Sequence, residues 1–115
     1  MGGLTLTAGQ VVWAVLDPAL GREQGGRRPC VVVSSRDFSE TILDLTVVLP
    51  CTTRGRGWDN HVLLTGPTGL TQATFAMTEQ PRTVSIQRIR SQAGHVDDTC
   101  LQELAFWIDS WLHAA

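Results

Sequence analysis

The sequence predicts one small domain of mostly β structure with a single carboxyl-terminal helix, an α+β class, and three observations carry the prediction. Short runs rich in Val, Ile and Thr follow one another with turn residues between them. Helical periodicity appears only in the last stretch, DDTCLQELAFWIDSWLHAA. A chain of 115 residues is long enough for one core and too short for two. Strands that succeed one another with no helix between them favour antiparallel pairing, in a barrel or a sandwich, over a parallel sheet.

Residues 1–8 are expected to be a flexible amino terminus before the first strand, Gln10 to Leu16 (QVVWAVL), which Asp17-Pro18 ends. Cys30 to Ser34 follows Pro29 as the second strand, and Ile42 to Leu49 (ILDLTVVL) is the third and central one. His61 to Leu64, Ala73 to Thr78 and Thr83 to Ile86 supply three more, the first two separated by Gly66-Pro67 and Thr68-Gly69. In the final segment Leu101, Leu104, Ala105, Ile108, Trp111 and Leu112 recur at three- and four-residue steps, a single apolar helical face. Asp98 or Thr99 caps that helix, and Asp97, Asp98 and Glu103 suit the positive end of its dipole. Trp107 falls off the stripe and reads either as a boundary residue or as a contact with another subunit.

Composition narrows the class. With 43% hydrophobic and 17% charged residues the chain is neither disordered nor a disulfide-dense mini-scaffold. MGGLTLTAGQ has no basic segment and no apolar core of a signal peptide, and no apolar run is long enough for a bilayer, so a cytoplasmic protein is expected. Cys30, Cys51 and Cys100 form no CxxC and no Cys/His pair at zinc spacing, which points to reduced thiols and to no metal or other cofactor. The net charge of −2 conceals a division, since residues 1–91 hold all nine arginines against seven acids while residues 92–115 hold four acids and no base. Every cation is an arginine, the side chain whose planar fork grips phosphate bidentately.

Four segments in one order carry a resemblance that composition does not supply. They are Gly9-Gln10-Val11-Val12-Trp13; Asp17-Pro18 with Gly21-Arg22-Glu23-Gln24-Gly25-Gly26-Arg27-Arg28-Pro29 and the valine strand; Leu49-Pro50-Cys51-Thr52-Thr53-Arg54; and Glu79-Gln80-Pro81-Arg82-Thr83-Val84 with Arg88. Together they resemble the MazF/PemK toxin family over nearly the whole chain. The resemblance implies an SH3-like antiparallel β-barrel with a carboxyl-terminal amphipathic helix, usually as a homodimer. It also implies a metal-independent endoribonuclease that cuts single-stranded RNA through its 2′-hydroxyl, leaving a 2′,3′-cyclic phosphate or 3′-phosphate and a 5′-hydroxyl. A cognate antitoxin with an acidic, disordered tail is the implied protein partner. The alternative is a non-enzymatic toxin of the same fold that binds a protein, of the gyrase-poison type, which Trp107 and Trp111 keep in view.

The residues support the nuclease reading in their own chemistry. Gly25-Gly26 give the second segment backbone freedom, and Arg22, Arg27 and Arg28 give it charge suited to phosphate. Arg28 is biased to extended geometry by Pro29, and the resemblance makes it the catalytic arginine, with Arg27 a binding residue. Thr52 ends a strand with a hydroxyl able to donate to a phosphate oxygen, and the resemblance makes it catalytic; Thr53 is the adjacent candidate on the opposite face. Glu23 matches the family's loop glutamate, either orienting Arg28 and accepting a proton or organising the loop as a salt bridge. Arg22, Arg54 and Arg56 are phosphate contacts, and Trp58 is either a base-stacking residue or cover for the barrel end. His61 departs from the family, which the resemblance gives an aromatic residue and then a Glu or similar group near this step, and it is expected to adjoin a loop that meets RNA or to meet nothing. Gln80 and Arg82 are binding or scaffold groups, Gln80 being alternatively a buried amide bonded to the Arg28 loop. Cys51 is a strand cysteine with no locally paired base, a buried hydrophobe and not a nucleophile.

Overall fold

The structure, a computed structural model, describes residues 6–17 and 26–113. Its elements run β1 (Gln10–Val15), β2 (Arg27–Val32), α1 (Arg36–Thr41), β3 (Leu45–Thr52), β4 (His61–Leu63), β5 (Phe75–Met77), β6 (Arg82–Ser85), a 3-10 turn (Ile86–Arg88), β7 (Ile89–His95) and α2 (Asp98–Leu112). All pairings are antiparallel, in the order β4-β5-β3-β2-β1-β7, with β6 also on β3. The expected antiparallel β architecture with a terminal helix is therefore present. β3 organises it, pairing β2 through Val48–Pro50 on one edge and β6 then β5 on the other.

The central strands read as near-continuous apolar runs because both of their faces are covered. One face holds Val11, Val31, Leu49 and Cys51 against Val62, Ala76, Cys100 and Leu104, so β4, β5 and α2 cover it. The other holds Val12, Ala14, Cys30, Val32 and Val48 with Leu6, Leu16 and Val84. Leu6 is 1% exposed, and its carbonyl accepts a hydrogen bond from Ser39 Oγ at 2.6 Å. Gly9 enters β1 at φ +99°, and a Cβ there would lie 2.7 Å from His95 Cε1, so only glycine fits this corner.

Three expectations need correction. The third strand begins at Leu45 and not Ile42: Ser35 accepts from Phe38 N at 3.1 Å and starts α1, and the Ile42 N–H closes that helix on Phe38 O. Capping thus overrides the β preference of Ile42, and Leu43 beside it is 73% exposed. β7 was not legible because IRSQAGH is an edge strand of mostly polar residues, with register shifts against β1. On α2 the cap is Asp97, whose carboxylate accepts from Cys100 N at 2.8 Å. The packed seam is Cys100, Leu101, Leu104, Trp107 and Ile108, so Trp107 lies on the stripe, while Ala105, Trp111 and Leu112 are exposed.

Candidate nucleic-acid cleavage site

The site lies where β2 begins and β3 ends. Cys30 faces Pro50 and Val31 faces Leu49 in the β2–β3 ladder, so continuing the antiparallel register by two residues sets Arg28 opposite Thr52. Alternation sends both side chains to the same face. Arg28 Nη1 donates to the carbonyl of Cys51 at 3.4 Å, which holds the guanidinium across the strand end. The base of the preceding segment is tied down by Leu16 N to Gly26 O at 2.9 Å and by Gly26 N to Asp17 Oδ1 at 2.7 Å. Arg88 fastens the same corner, donating to the carbonyls of Val15 and Asp17. Its role is thus to hold the end of β1, a contact 71 residues distant in sequence that no local pattern announces.

Arg28, Thr52, Thr53, Arg54 and Arg56 line one cleft of about 330 Å³. Three guanidinia and two hydroxyls make it a site for an anion with several oxygens. Thr52 Oγ1 accepts from Arg54 N at 3.1 Å, which uses a lone pair and leaves the O–H able to donate into the cleft. Arg27 points away, as alternation requires, and its guanidinium sits 5.4 Å from the Trp13 ring centroid. Arg82 stands opposite Val48 on β6, half-buried. Burial pushes the Cys30 thiol up to about 12, while the charges of Arg82 and Arg28 pull the other way. Cys51 is buried and its thiol is raised well above the usual range by that burial, consistent with a hydrophobic role. Arg22 and Glu23 lie outside the described residues.

Arg56 joins the cleft to a cluster centred on Glu79, a residue that the sequence motifs include but do not mark out. The Glu79 carboxylate receives Asn60 Nδ2 at 2.9 Å, His61 Nε2 at 3.0 Å to each oxygen, and Gln80 Nε2 at 3.4 Å. Gln80 also approaches Met77 Sδ at 3.7 Å, so its described bonds serve the turn before β6 and not the Arg28 segment. Of the two roles open to His61, burial favours the one that leaves it off the RNA: it opens β4 and its side chain is 2% exposed. Trp58 rests on it with ring centroids 4.8 Å apart, and Arg56 lies 5.5 Å from the other ring centroid in the pair Arg56–Trp58. Only clustering of Asn60, His61 and Glu79 in space reveals this hub, since 18 residues separate His61 from Glu79.

Partial burial works to raise the Glu79 carboxyl, but the bond from His61, its own backbone amide, the His61 charge and Gln80 together hold it below its ordinary 4.5. A carboxylate with a depressed pKa adds stability above its ordinary value, and that stability is lost as pH falls through the depressed one. The urea midpoint of wild type should therefore exceed that of Glu79→Gln at pH 6, and the gap should close as pH is lowered from about 4.5 toward 3. A gap that persists unchanged at pH 3 would show that the His61 pairing does not hold the carboxylate.

The comparisons with known proteins agree with this geometry. The family described as "PemK-like, MazF-like toxin of type II toxin-antitoxin system" matches residues 7–112. The Escherichia coli K12 protein named endoribonuclease toxin MazF is 36% identical over 58 residues, so the match spans about half of each chain, 50% and 51%. Endoribonuclease EndoA of Bacillus subtilis is 28% identical over 99 residues, 84% of both chains. The crystal structure of MazF from Deinococcus radiodurans superposes with a TM-score of 0.83 at 27% identity, covering 96% of this chain and 98% of that one. With a family match across nearly its whole length and the same fold, the chain belongs to the PemK-like, MazF-like family of type II toxins.

Proposed function

We propose that this chain is an endoribonuclease toxin that cuts single-stranded RNA in the cleft between β2 and β3. The observation that carries the reading is the convergence of Arg28, Thr52, Thr53, Arg54 and Arg56 on one cleft, with Arg28 held across the end of β3 by the Cys51 carbonyl. Cleavage by the neighbouring 2′-hydroxyl forms an O–P bond to the scissile phosphorus and breaks the bond to the 5′-oxygen, which takes a proton from water and leaves as the 5′-hydroxyl, with extra negative charge on the phosphoryl oxygens in between. Arg28 and the Thr52 O–H are the donors that stabilise that charge without a metal ion. Arg54, Arg56 and Arg82 hold flanking phosphates, and Trp58, 44% exposed, stacks on an unpaired base. The proton acceptor assigned to the 2′-hydroxyl is Glu23, five residues before Arg28 in the second motif.

The relatives' names support the activity, and a structure described as MazE-MazF from Deinococcus radiodurans, 26% identical with a TM-score of 0.77, supports an antitoxin as partner. An acidic antitoxin tail folds over the same positive cleft, and its affinity falls as salt rises. The toxin acts as a cytoplasmic homodimer; Phe106, Trp111 and Leu112, each about half or more exposed on α2, fit a face covered by a second copy. The chemistry is tested with an RNA carrying a single 2′-deoxyribose at a mapped cut, in EDTA. That one bond should resist cleavage while neighbouring sites are cut with 5′-hydroxyl ends; cleavage at the deoxy position would refute transesterification by the 2′-hydroxyl.

A further inference from the structure

Trp58 belongs to a chain of contacts that starts at the cleft: Arg56 over Trp58, Trp58 tilted at 54° against His61, and His61 bonded to the Glu79 carboxylate. Arg56 also lines the cleft, so the chain begins where phosphate is held. The inner end is fixed with unusual thoroughness for an exposed loop. His61 N bonds to Trp58 O at 3.1 Å, Thr78 Oγ1 donates to Asn60 O at 2.7 Å, and Glu79 takes donors from Asn60 and His61. Because a carboxylate only accepts, the proton of the His61–Glu79 bond lies on Nε2, and Nδ1 is left as the second ring nitrogen. That Nδ1 is buried with no hydrogen-bond partner among the described residues, a condition that costs about 1–3 kcal/mol and that an apolar side chain here would avoid. Filling space therefore does not explain the imidazole. What it provides is a ring against Trp58, inclined at 54° with centroids 4.8 Å apart and held at that angle by contacts of 3.0 Å to both Glu79 oxygens.

We infer that Glu79, acting through His61, positions Trp58 as a preset platform for one unpaired nucleobase of the RNA whose phosphate lies in the Arg28–Thr52 cleft. The inference rests on the reading of that cleft as an RNA site. Glu79 is a positioning residue: it fixes the ring that fixes the tryptophan, and binding then spends little on ordering the loop. Arg56 is the movable member, its planar guanidinium lying over Trp58 until a base takes its place or extends the stack.

The test is a double-variant cycle on binding of a fluorescein-labelled, random-sequence 2′-O-methyl RNA 12-mer, which cannot be cleaved, followed by anisotropy. Trp58→Ala should weaken binding roughly tenfold, the usual scale for loss of one stacked base. Glu79→Ala should weaken it severalfold, Glu79→Gln by less because one acceptor for His61 remains, and Glu79→Ala should add nothing in the Trp58→Ala background. The part of the tryptophan emission quenched by RNA should vanish in Trp58→Phe and diminish in Glu79→Ala. A purely structural Glu79 would give losses that multiply, to within about twofold, in the double variant, and that result overturns the proposal. So does a Glu79→Ala protein that binds and quenches as wild type does. Cleavage is scored separately on unmodified RNA. Coupled binding with uncut RNA keeps the platform and sinks the nuclease, whereas normal cutting with a multiplicative cycle does the reverse.

Discussion

Replacement of Arg28 by alanine should lower single-turnover cleavage by about 10²–10³-fold, equivalent to roughly 2.7–4 kcal/mol of barrier, while the protein stays folded. The size follows from where the guanidinium sits. It is half-buried at the start of β2, held by the Cys51 carbonyl at 3.4 Å, and lines the cleft with the Thr52 hydroxyl on the same face. A donor fixed in advance needs no reorganisation when charge develops on the phosphoryl oxygens, so its loss appears in the rate. Arg28→Lys keeps the charge but loses the planar fork, and should fall between wild type and alanine. Stability should change little, because the β2 backbone keeps its pairing to β1 and β3 whatever the side chain is. A folded Arg28→Ala protein cutting at the wild-type rate would remove this residue from the chemistry.

The largest effect on stability is expected at Leu104. Its side chain is 0% exposed in the cluster where α2 meets Val62, Ala76 and Cys51. Truncation to alanine removes buried methyl groups and leaves a cavity under the seam that docks the helix, a loss of about 2–5 kcal/mol. For a domain of this size that corresponds to a fall in melting temperature of roughly 10–20 °C. Ala105→Ser, one residue on but exposed, should change stability by less than about 0.5 kcal/mol. Equal effects at the two positions would mean that α2 does not dock as described.

These two sites also show what the sequence disclosed. Arg28 and Thr52 were singled out by the resemblance of their segments to the family's, since an arginine in a glycine-rich stretch and a threonine at a strand end carry no mark of their own; the structure brings both to one cleft. The apolar runs in β1, β2 and β3 were legible because strands covered on both faces leave an uninterrupted hydrophobic signal. The face of α2 was readable only to within a residue or two, since Leu101, Leu104 and Ile108 belong to both possible stripes and packing against β4 decides between them. Trp107 thereby moved from off the stripe onto it. Glu79 and Arg88 were not legible as anchors, because their partners come from segments 18 and 71 residues away and a single side chain carries no mark of such a contact. His61 read as a surface loop residue for the opposite reason: its burial depends on Glu79 and Trp58 closing over it.

The central claim is that the Arg28–Thr52 cleft cuts RNA, and incubation of the purified protein with a long unstructured RNA in EDTA, with end mapping, tests it most directly. Wild type should give discrete cuts with 5′-hydroxyl ends, and folded Arg28→Ala and Thr52→Val proteins should give few or none. Intact RNA from folded wild type across several substrates, or cutting undiminished in both variants, would contradict the account.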